Sequence, residues 1–369
     1  MVLGTLSRGF RGDSSFMIIS RTPFRVSFFG GGTDYPVWYQ ECGGAVLATT
    51  IDKYCYITCR YLPPFFEHKT RVAYSKIERV KSNGEIEHPA VRGVLEYLKI
   101  EHGVEIHHDG DLPARTGLGS RSSFTVGLLD ALRALKQTMT TKMDLAKDAI
   151  KVEQDILKEN VGCQDQVIAA YGGLSRIDFL PNHDIHVTPI ILSRERLHDL
   201  QSHLLLYFTG FSRYASEIAG EQITVTKERK KELAAMYKMV EEGVSILSRT
   251  GDIAEFGSLL RETWLLKRSL TSKISSPVID EIYEAAEKAG AIGGKLLGAG
   301  GGGFMLLFAK PEDHPRIKER LRGLLHVPFS FETMGSQIIF YQPGQLIKRD
   351  YPEEFQLAGK IVKTDPEEE

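Results

Sequence analysis

The sequence predicts an α+β protein of two domains, and three observations carry that expectation. Its 369 residues exceed the roughly 250–300 at which a single hydrophobic core stops growing. Strand-like and helix-like stretches are interleaved but form no regular strand–helix–strand series, which disfavours a doubly wound parallel sheet. Two glycine-rich tracts stand in opposite contexts: residues 113–124 lead into a helical pattern, whereas 298–303 follow one and lead into a strand. Apolar residues at 42% and charged residues at 25% are those of a globular chain and exclude disordered or fibrous classes.

Residues 1–16 (MVLGTLSRGFRGDSSF) carry arginines but no continuous apolar segment, so they read as a flexible leader and not as a signal peptide. Met17 to Phe29 is rich in β-branched and aromatic residues and stops at Gly30-Gly31-Gly32, as a buried strand does on meeting a tight turn. Ala45 to Arg60 reads as further strands. Phe124, Leu128, Leu132 and Leu135 then recur at helical spacing directly after the first glycine tract. Helices are expected over Asp144 to Lys158 and over Val167 to Tyr171, the second ended by Gly172-Gly173. The strand-like run His203 to Phe208 opens the second domain. This sets expected boundaries of 17–200 and 201–345, with a tail over 346–369. Charged helices from about Ser216 to Arg249 and from Ile253 to Leu270 follow, then a helix ending near Gly290 and the strand Phe304 to Ala309.

A formal net charge of −2, from 46 basic and 48 acidic side chains mixed along the chain, makes no field that would gather nucleic acid or an anionic membrane. No apolar run reaches the roughly 20 residues of a membrane-spanning helix. Cys42, Cys55, Cys59 and Cys163 show no paired CxxC spacing, as expected for reduced thiols in a cytoplasmic protein. The expected partner is a small molecule, with the chain acting as a monomer or homodimer.

The tract from Pro113 to Phe124 is the strongest chemical signal. Gly117 and Gly119 let the backbone turn its N–H groups inward, and the helix that follows adds its positive dipole end, so an anion such as phosphate would fit. A glycine turn with Ser120 or Ser122 as helix cap explains the same residues. The GxxxxGK[ST] pattern and the HRD and DFG signatures are absent, and GAGGGGF at 298–304 lies between a helix and a strand, the reverse of a dinucleotide fingerprint.

Three blocks occur in order: RTPFRVSFFGGGTDY over 21–35, LPARTGLGSRSSF over 112–124 and KLLGAGGGGF over 295–304. In these the chain resembles the GHMP kinases, the family named for galactokinase, homoserine kinase, mevalonate kinase and phosphomevalonate kinase. The resemblance implies two α+β domains with the active site in the cleft between them. It further implies a left-handed βαβ crossover in the first domain and a ferredoxin-like α/β sandwich in the second. GGGTDY, GCQDQ at 162–166 and FTGFSRYASE at 208–217 look most like the bacterial heptose kinases of that family. The implied activity is ATP-dependent phosphorylation of a sugar hydroxyl, the anomeric one of a heptose 7-phosphate, with ATP as co-substrate and Mg2+ as metal. Two rivals stay open: a kinase of the same family acting on a hexose, fucose or an isoprenoid precursor, and a non-catalytic sensor of sugar and ATP.

Phosphoryl transfer needs positioning, neutralised charge and a group that takes the proton of the attacking hydroxyl. The resemblance assigns the nucleotide's phosphates to Pro113, Gly117, Leu118, Gly119, Ser120, Arg121, Ser122 and Ser123. It makes Asp165 the base, where a helix N-cap is the alternative, and puts Arg25 beside it, where a surface arginine is the alternative. Glu153 projects at helical spacing into the stripe of Ala146, Ile150 and Leu157, so its carboxylate needs a partner. That partner is either Mg2+, with Ser120 as the hydroxyl ligand, or a buried ion pair. Gly31, Gly32 and Asp34 match the substrate-binding turn, with an Asx-turn as the alternative for Asp34. Gly300, Gly301 and Gly302 would bring backbone close to the substrate, or form a structural turn. For an acceptor with its own phosphate, Arg213, Lys267 and Arg268 are anchors to weigh against solvated helix charges. Arg121 departs from the family pattern. A cation in the first turn of a helix costs roughly 0.3–1 kcal/mol unless an anion compensates it, so it either meets a phosphate or points to solvent.

Overall fold

The computed structural model describes residues 17–62, 66–114, 116–210, 215–226 and 228–342. The leader over 1–16, the tail over 346–369 and Arg213 lie outside the described residues. In chain order the first elements are β1 (Ile18–Phe29), α1 (Pro36–Cys42), β2 (Gly44–Tyr61), β3 (Thr70–Ala73), β4 (Ile77–Val80), α2 (Pro89–Tyr97), β5 (Val104–Gly110) and α3 (Ser120–Leu135). There follow α4 (Lys142–Lys151), α5 (Gln164–Tyr171), β6 (Ser175–Phe179), β7 (Ile185–Pro189), α6 (Arg194–Ser202) and β8 (Leu204–Phe208). The remainder is α7 (Ala215–Val225), α8 (Lys230–Ser248), α9 (Ala254–Leu270), α10 (Pro277–Lys288), β9 (Ala291–Leu296), β10 (Phe304–Ala309), α11 (His314–Arg320), β11 (Leu325–His326), β12 (Phe331–Glu332) and β13 (Gln337–Tyr341).

The strands form two sheets, as the two-domain α+β expectation requires. The larger runs β13-β1-β2-β5-β3-β4, with β6 and β12 also on β2 and β7 on β6; the smaller runs β11-β8-β10-β9. All pairings are antiparallel except β3 with β5. Ala45 to Arg60, expected as several strands, is the single strand β2. Its 18 residues serve three neighbours on the side away from β1: β6 along Gly44–Ala48, β12 at Thr50–Ile51 and β5 along Cys55–Tyr61.

Helix α3 lies on this sheet. Val126, Leu128, Leu129, Ala131 and Leu132 are fully buried, since one side of the helix meets β1 and β2 and the other meets α4 and α5. Gly127 allows the close approach: a Cβ there would stand 2.7 Å from the Thr22 hydroxyl, and Ser20 Oγ donates to the Gly127 carbonyl at 2.8 Å.

Three expectations change. The helix over Asp144 to Lys158 ends as α-helix at Lys151 and continues as a π-helical turn, Val152–Ile156. The helix over Ser216 to Arg249 is two helices, α7 ending at Val225 and α8 beginning at Lys230. Residues 331–341, counted with the second domain, return to the first sheet: Phe331 opposes Ile51, and β13 pairs with β1 from Ile18 to Arg21. Without that return the outer edge of β1 would leave its N–H and C=O groups unpaired.

One aromatic side chain joins the two layers. Phe256, fully buried on α9, meets Phe28 and Phe29 of β1 edge-on, with ring centroids at 5.3 and 4.9 Å, and lies 6.1 Å from Phe308 of β10. Helix α9 in turn sits directly on β9, where a Cβ at Gly293 would fall 2.0 Å from the Gly257 carbonyl oxygen. A Phe256→Ala variant is expected to lose about 3–5 kcal/mol of stability. Denaturant unfolding followed by fluorescence of Trp264, on the same helix, measures it, and an unchanged midpoint would mean that the aromatic contacts contribute little.

Candidate active site

Between the sheets lies a cleft enclosing about 960 Å³, part of it open solvent. Its walls are Arg25 and Ser27 of β1, the turn that follows β1, the loop leading into α3, residues 160–162, Gln164 and Asp165, Ala219 and Gln222 of α7, and Lys267, Lys295, Gly298 and Ala299 from the second layer.

The loop has the conformation its glycines allow. Gly117 and Gly119 have φ of +84° and +73°, in the left-handed region that disfavours any side chain. A Cβ on Gly117 would also strike the Leu297 carbonyl oxygen at 2.5 Å. Neither serine caps α3. The cap residue is Gly119 and has no side chain to offer, while Ser122 donates to Glu153 at 2.9 Å and Ser123 to the Pro23 carbonyl at 2.9 Å. No side chain caps the first turn of α3, and its dipole favours an anion. Gly117, Gly119, Ser120, Arg121 and Ser122 line the cleft. Leu118 and Ser123 are buried behind it, and Pro113 is exposed away from it.

Asp165 stands opposite the loop. Arg25 holds it in a bidentate pair, Nε to Oδ1 at 2.7 Å and Nη2 to Oδ2 at 2.8 Å, and the remaining nitrogen, Nη1, donates to the Gly117 carbonyl at 2.6 Å. Both alternatives read from the sequence fall. Arg25 is buried, and the residue at the N-cap of α5 is Cys163. Asp34 is buried with both oxygens engaged, accepting from the Gly32 N–H at 2.9 Å and the Gln164 N–H at 3.2 Å. It thus does close the local turn, while also tying the turn to α5. Burial raises its pKa, and the nearby Asp165 charge adds to the rise. Only glycine fits at 162, where a Cβ would lie 1.9 Å from Asp34 Oδ2. Gly31 and Gly32 line the same end of the cleft.

Glu153 is the second residue of the π-helical turn and is fully buried behind Ser122. Its Oε2 accepts from Ser122 Oγ and, at 2.7 Å, from Gln166 Nε2. Its Oε1 makes no well-formed hydrogen bond: the nearby Thr125 hydroxyl donates to the Arg121 carbonyl at 3.2 Å but lies close enough to oppose the rise of the carboxyl's pKa. Burial pushes this carboxyl up to about 7, against the opposing effect of the neighbouring hydroxyls and amide. No cation among the described residues pairs with it, so the ion-pair alternative is not what the fold builds. An orphaned, buried carboxylate oxygen one layer behind the Ser120–Ser122 turn fits a divalent cation, with Ser120 as the hydroxyl on the cleft side.

Other expected residues lie elsewhere. Within the glycine tract, Gly298 and Ala299 line the cleft, whereas Gly300, Gly301 and Gly302 do not. Gly301 donates to the Ile274 carbonyl at 2.9 Å, and a Cβ on Gly300 would lie 2.8 Å from Ile274 Cα, so these glycines serve a close backbone crossing. Arg121 meets an anion after all: Glu159, at 2.5 Å, compensates the cation in the first turn. Arg268 pairs with Asp280 at 3.0 Å and is not on the cleft wall. Sequence reasoning missed Lys295, Gln164 and Ser27. Lys295 is nearly enclosed, with Nζ 2.7 Å from the Phe28 carbonyl oxygen, and Ser27 donates to Gln164 Oε1 at 2.7 Å. A lysine inside the apolar run IGGKLL was the available signal. Burial brings the Lys267 ammonium down to about 8, helped by the Arg25 charge, and sets Lys295 well below its ordinary value, helped by Lys267.

An anion cradle, a carboxylate fixed beside it and a buried carboxylate behind it are the parts that phosphoryl transfer needs. Residues 87–173 match the family model described as the GHMP kinases N terminal domain, and 230–326 match GHMP kinases C terminal. The chain is similar to a D-glycero-alpha-D-manno-heptose 7-phosphate kinase of Campylobacter jejuni, 26% identical over 316 residues, which are 83% of this chain and 93% of that protein. It is similar to a galactokinase of Pyrococcus furiosus, 28% identical over 356 residues, 86% of this chain and 96% of that one. Among solved structures it is similar to a D-glycero-D-manno-heptose 1-phosphate kinase from Bacteroides thetaiotaomicron, with TM-score 0.67 and 25% identity over 88% of this chain and 100% of the other. Fold, site and matches define a kinase, an ATP-dependent phosphotransferase. The chain belongs to the GHMP kinase family.

The Glu153 carboxyl yields a pH test. Its folded-state pKa, near 7, lies above the ordinary 4.5, so its ionisation destabilises the apo protein as pH rises from about 4.5 to about 7. The full shift corresponds to on the order of 3 kcal/mol. Thermal melts of the apo protein should show this fall, and Glu153→Gln should flatten it. A variant that keeps the wild-type slope would remove Glu153 as the titrating group.

Proposed function

We propose that the protein transfers the γ-phosphoryl group of ATP to the anomeric hydroxyl of D-glycero-D-manno-heptose 7-phosphate. The product would be the 1,7-bisphosphate, on the route to nucleotide-activated heptose, formed in the cytoplasm. The observation that carries the reading is the Asp165 carboxylate, fixed by Arg25 in the same cleft as the phosphate loop. The heptose phosphate is supported by the similarity to the Campylobacter jejuni enzyme along nearly its whole length.

In this mechanism the loop amides and the first turn of α3 hold the phosphates of ATP. Asp165 takes the proton of the anomeric hydroxyl as its oxygen bonds to the γ-phosphorus, the bond from γ-phosphorus to the bridging oxygen breaks, and ADP leaves. Arg25 keeps the carboxylate aimed at that hydroxyl. Ser27, Gln164 and the turn at Gly31–Gly32 offer polar groups to the remaining sugar hydroxyls. Glu153 and Ser120 would hold Mg2+, whose charge would stabilise the transferring phosphoryl group when bound.

A hexose such as galactose is the second reading, favoured by the 28% identity to the archaeal galactokinase. A non-catalytic sensor is disfavoured by the intact Arg25–Asp165 pair and by the buried Glu153. ADP release over a panel of heptose 7-phosphate, hexoses, fucose and mevalonate tests the proposal. Heptose 7-phosphate should give the highest kcat/KM, and Asp165→Asn should lower kcat by about 10²–10⁴-fold, the scale of a general base. Full activity in Asp165→Asn would remove the base, and a different best acceptor would replace the heptose.

A further inference from the structure

Two buried lysines on the cleft wall take no part in the chemistry described so far. Lys267 comes from α9 and Lys295 from β9, and they are 6% and 2% exposed. An ammonium group carries three N–H donors. Lys295 uses one, to the Phe28 carbonyl at 2.7 Å; Lys267 uses two, to the carbonyls of Gly298 and, at 3.4 Å, Leu296. Three donors are left without a protein acceptor among the described residues.

The carboxylates of the cleft accept no hydrogen bond from either lysine, although the charges of Asp34 and Asp165 partly offset the fall in the Lys267 pKa. Both oxygens of Asp165 are taken by Arg25, and both of Asp34 by the backbone N–H groups of Gly32 and Gln164. Three cations, Arg25, Lys267 and Lys295, thus face two carboxylates that are already engaged. Buried charges are kept where a partner meets them, and an anionic ligand would supply that partner here. The phosphates of the nucleotide have their own cradle at the start of α3. Lys295 instead is anchored at Phe28, two residues before the triple-glycine turn at the acceptor end.

We infer that Lys267 and Lys295 bind the acceptor's own phosphate and make the enzyme select phosphorylated over unphosphorylated sugars. Compact ammonium groups suit a tetrahedral phosphate, whose oxygens accept from several directions. A neutral hexose would leave both charges unmet. The burial and mutual repulsion that weaken both ammonium groups are relieved once that anion is bound. The inference rests on the proposed reading of this cleft as a sugar kinase's acceptor site.

The test uses the full chain in two measurements. First, a non-hydrolysable ATP analogue with Mg2+ fills the phosphate loop, and inorganic phosphate is titrated in by calorimetry. The wild type should bind one equivalent, and Lys267→Met and Lys295→Met should each weaken binding about 30-fold or more, the scale of losing a buried charge partner. Second, steady-state kinetics compare heptose 7-phosphate with the unphosphorylated heptose. The ratio of their kcat/KM values should fall by a similar factor in the variants, through KM for the acceptor, with KM for ATP unmoved. Melting curves establish folding. If Lys295→Met does not fold, Lys267→Met carries the comparison, and the wild-type titration needs no variant. No phosphate binding by the wild type, or variants that keep both affinity and preference, would overturn the site. A wild type that prefers another phosphorylated sugar would replace the heptose and leave the lysine site standing.

Discussion

The guanidinium of Arg25 makes three short hydrogen bonds, two to Asp165 and one to the Gly117 carbonyl, and the geometry of the cleft depends on them. The backbone of the same residue donates to the Leu118 carbonyl at 3.0 Å. One residue in the middle of β1 thereby fixes the phosphate loop, the start of α5 and the strand relative to each other. The arrangement explains why position 119 is glycine: a Cβ there would lie 3.1 Å from Arg25 Cγ and 3.4 Å from Asp165 Oδ2. The base role proposed for Asp165, which requires reaching a hydroxyl within hydrogen-bond distance, would gain from such rigidity, because small misplacements cost rate steeply.

The second layer completes the site by pressing on the loop from the far side. Gly298 lies against Gly117, where a Cβ would stand 2.5 Å from the Gly117 Cα, and the Phe304 N–H donates to the Thr116 carbonyl at 3.1 Å. Gly300 and Gly301, assigned with Gly302 to the substrate from the sequence, instead sit at the backbone crossing with Ile274. The layers are also joined through Phe256, so the aromatic core and the phosphate loop are two ends of one interface. Charge follows the same division. The first layer supplies the carboxylates Asp34, Glu153 and Asp165, and the second supplies Lys267 and Lys295.

Much of this was legible in the sequence because it rests on local rules. The strand before Gly30-Gly31-Gly32, the glycine loop and the helix after it are set by residue types at short range, and β1 and α3 follow them closely. Glu153 was legible as a carboxylate among apolar residues, and the π-helical turn that begins beside it changed its surroundings but not its burial. What stayed hidden depends on contacts between distant segments. Nothing near Arg121 marks Glu159, 38 positions on, as its partner. The return of β12 and β13 to the first sheet answers an open edge of β1 that exists only once the sheet is formed. Lys295 reads as a strand lysine until the Phe28 carbonyl, 267 residues away in sequence, is seen to receive it.

The claim on which the rest turns is that Arg25 acts through Asp165, and a double-mutant cycle on kcat with Arg25→Met and Asp165→Asn measures it most directly. If the guanidinium works by holding the carboxylate, the double variant should fall within about threefold of Asp165→Asn alone, as for residues that act as one unit. Losses that multiply across the two substitutions would contradict it and give Arg25 an independent part in the chemistry.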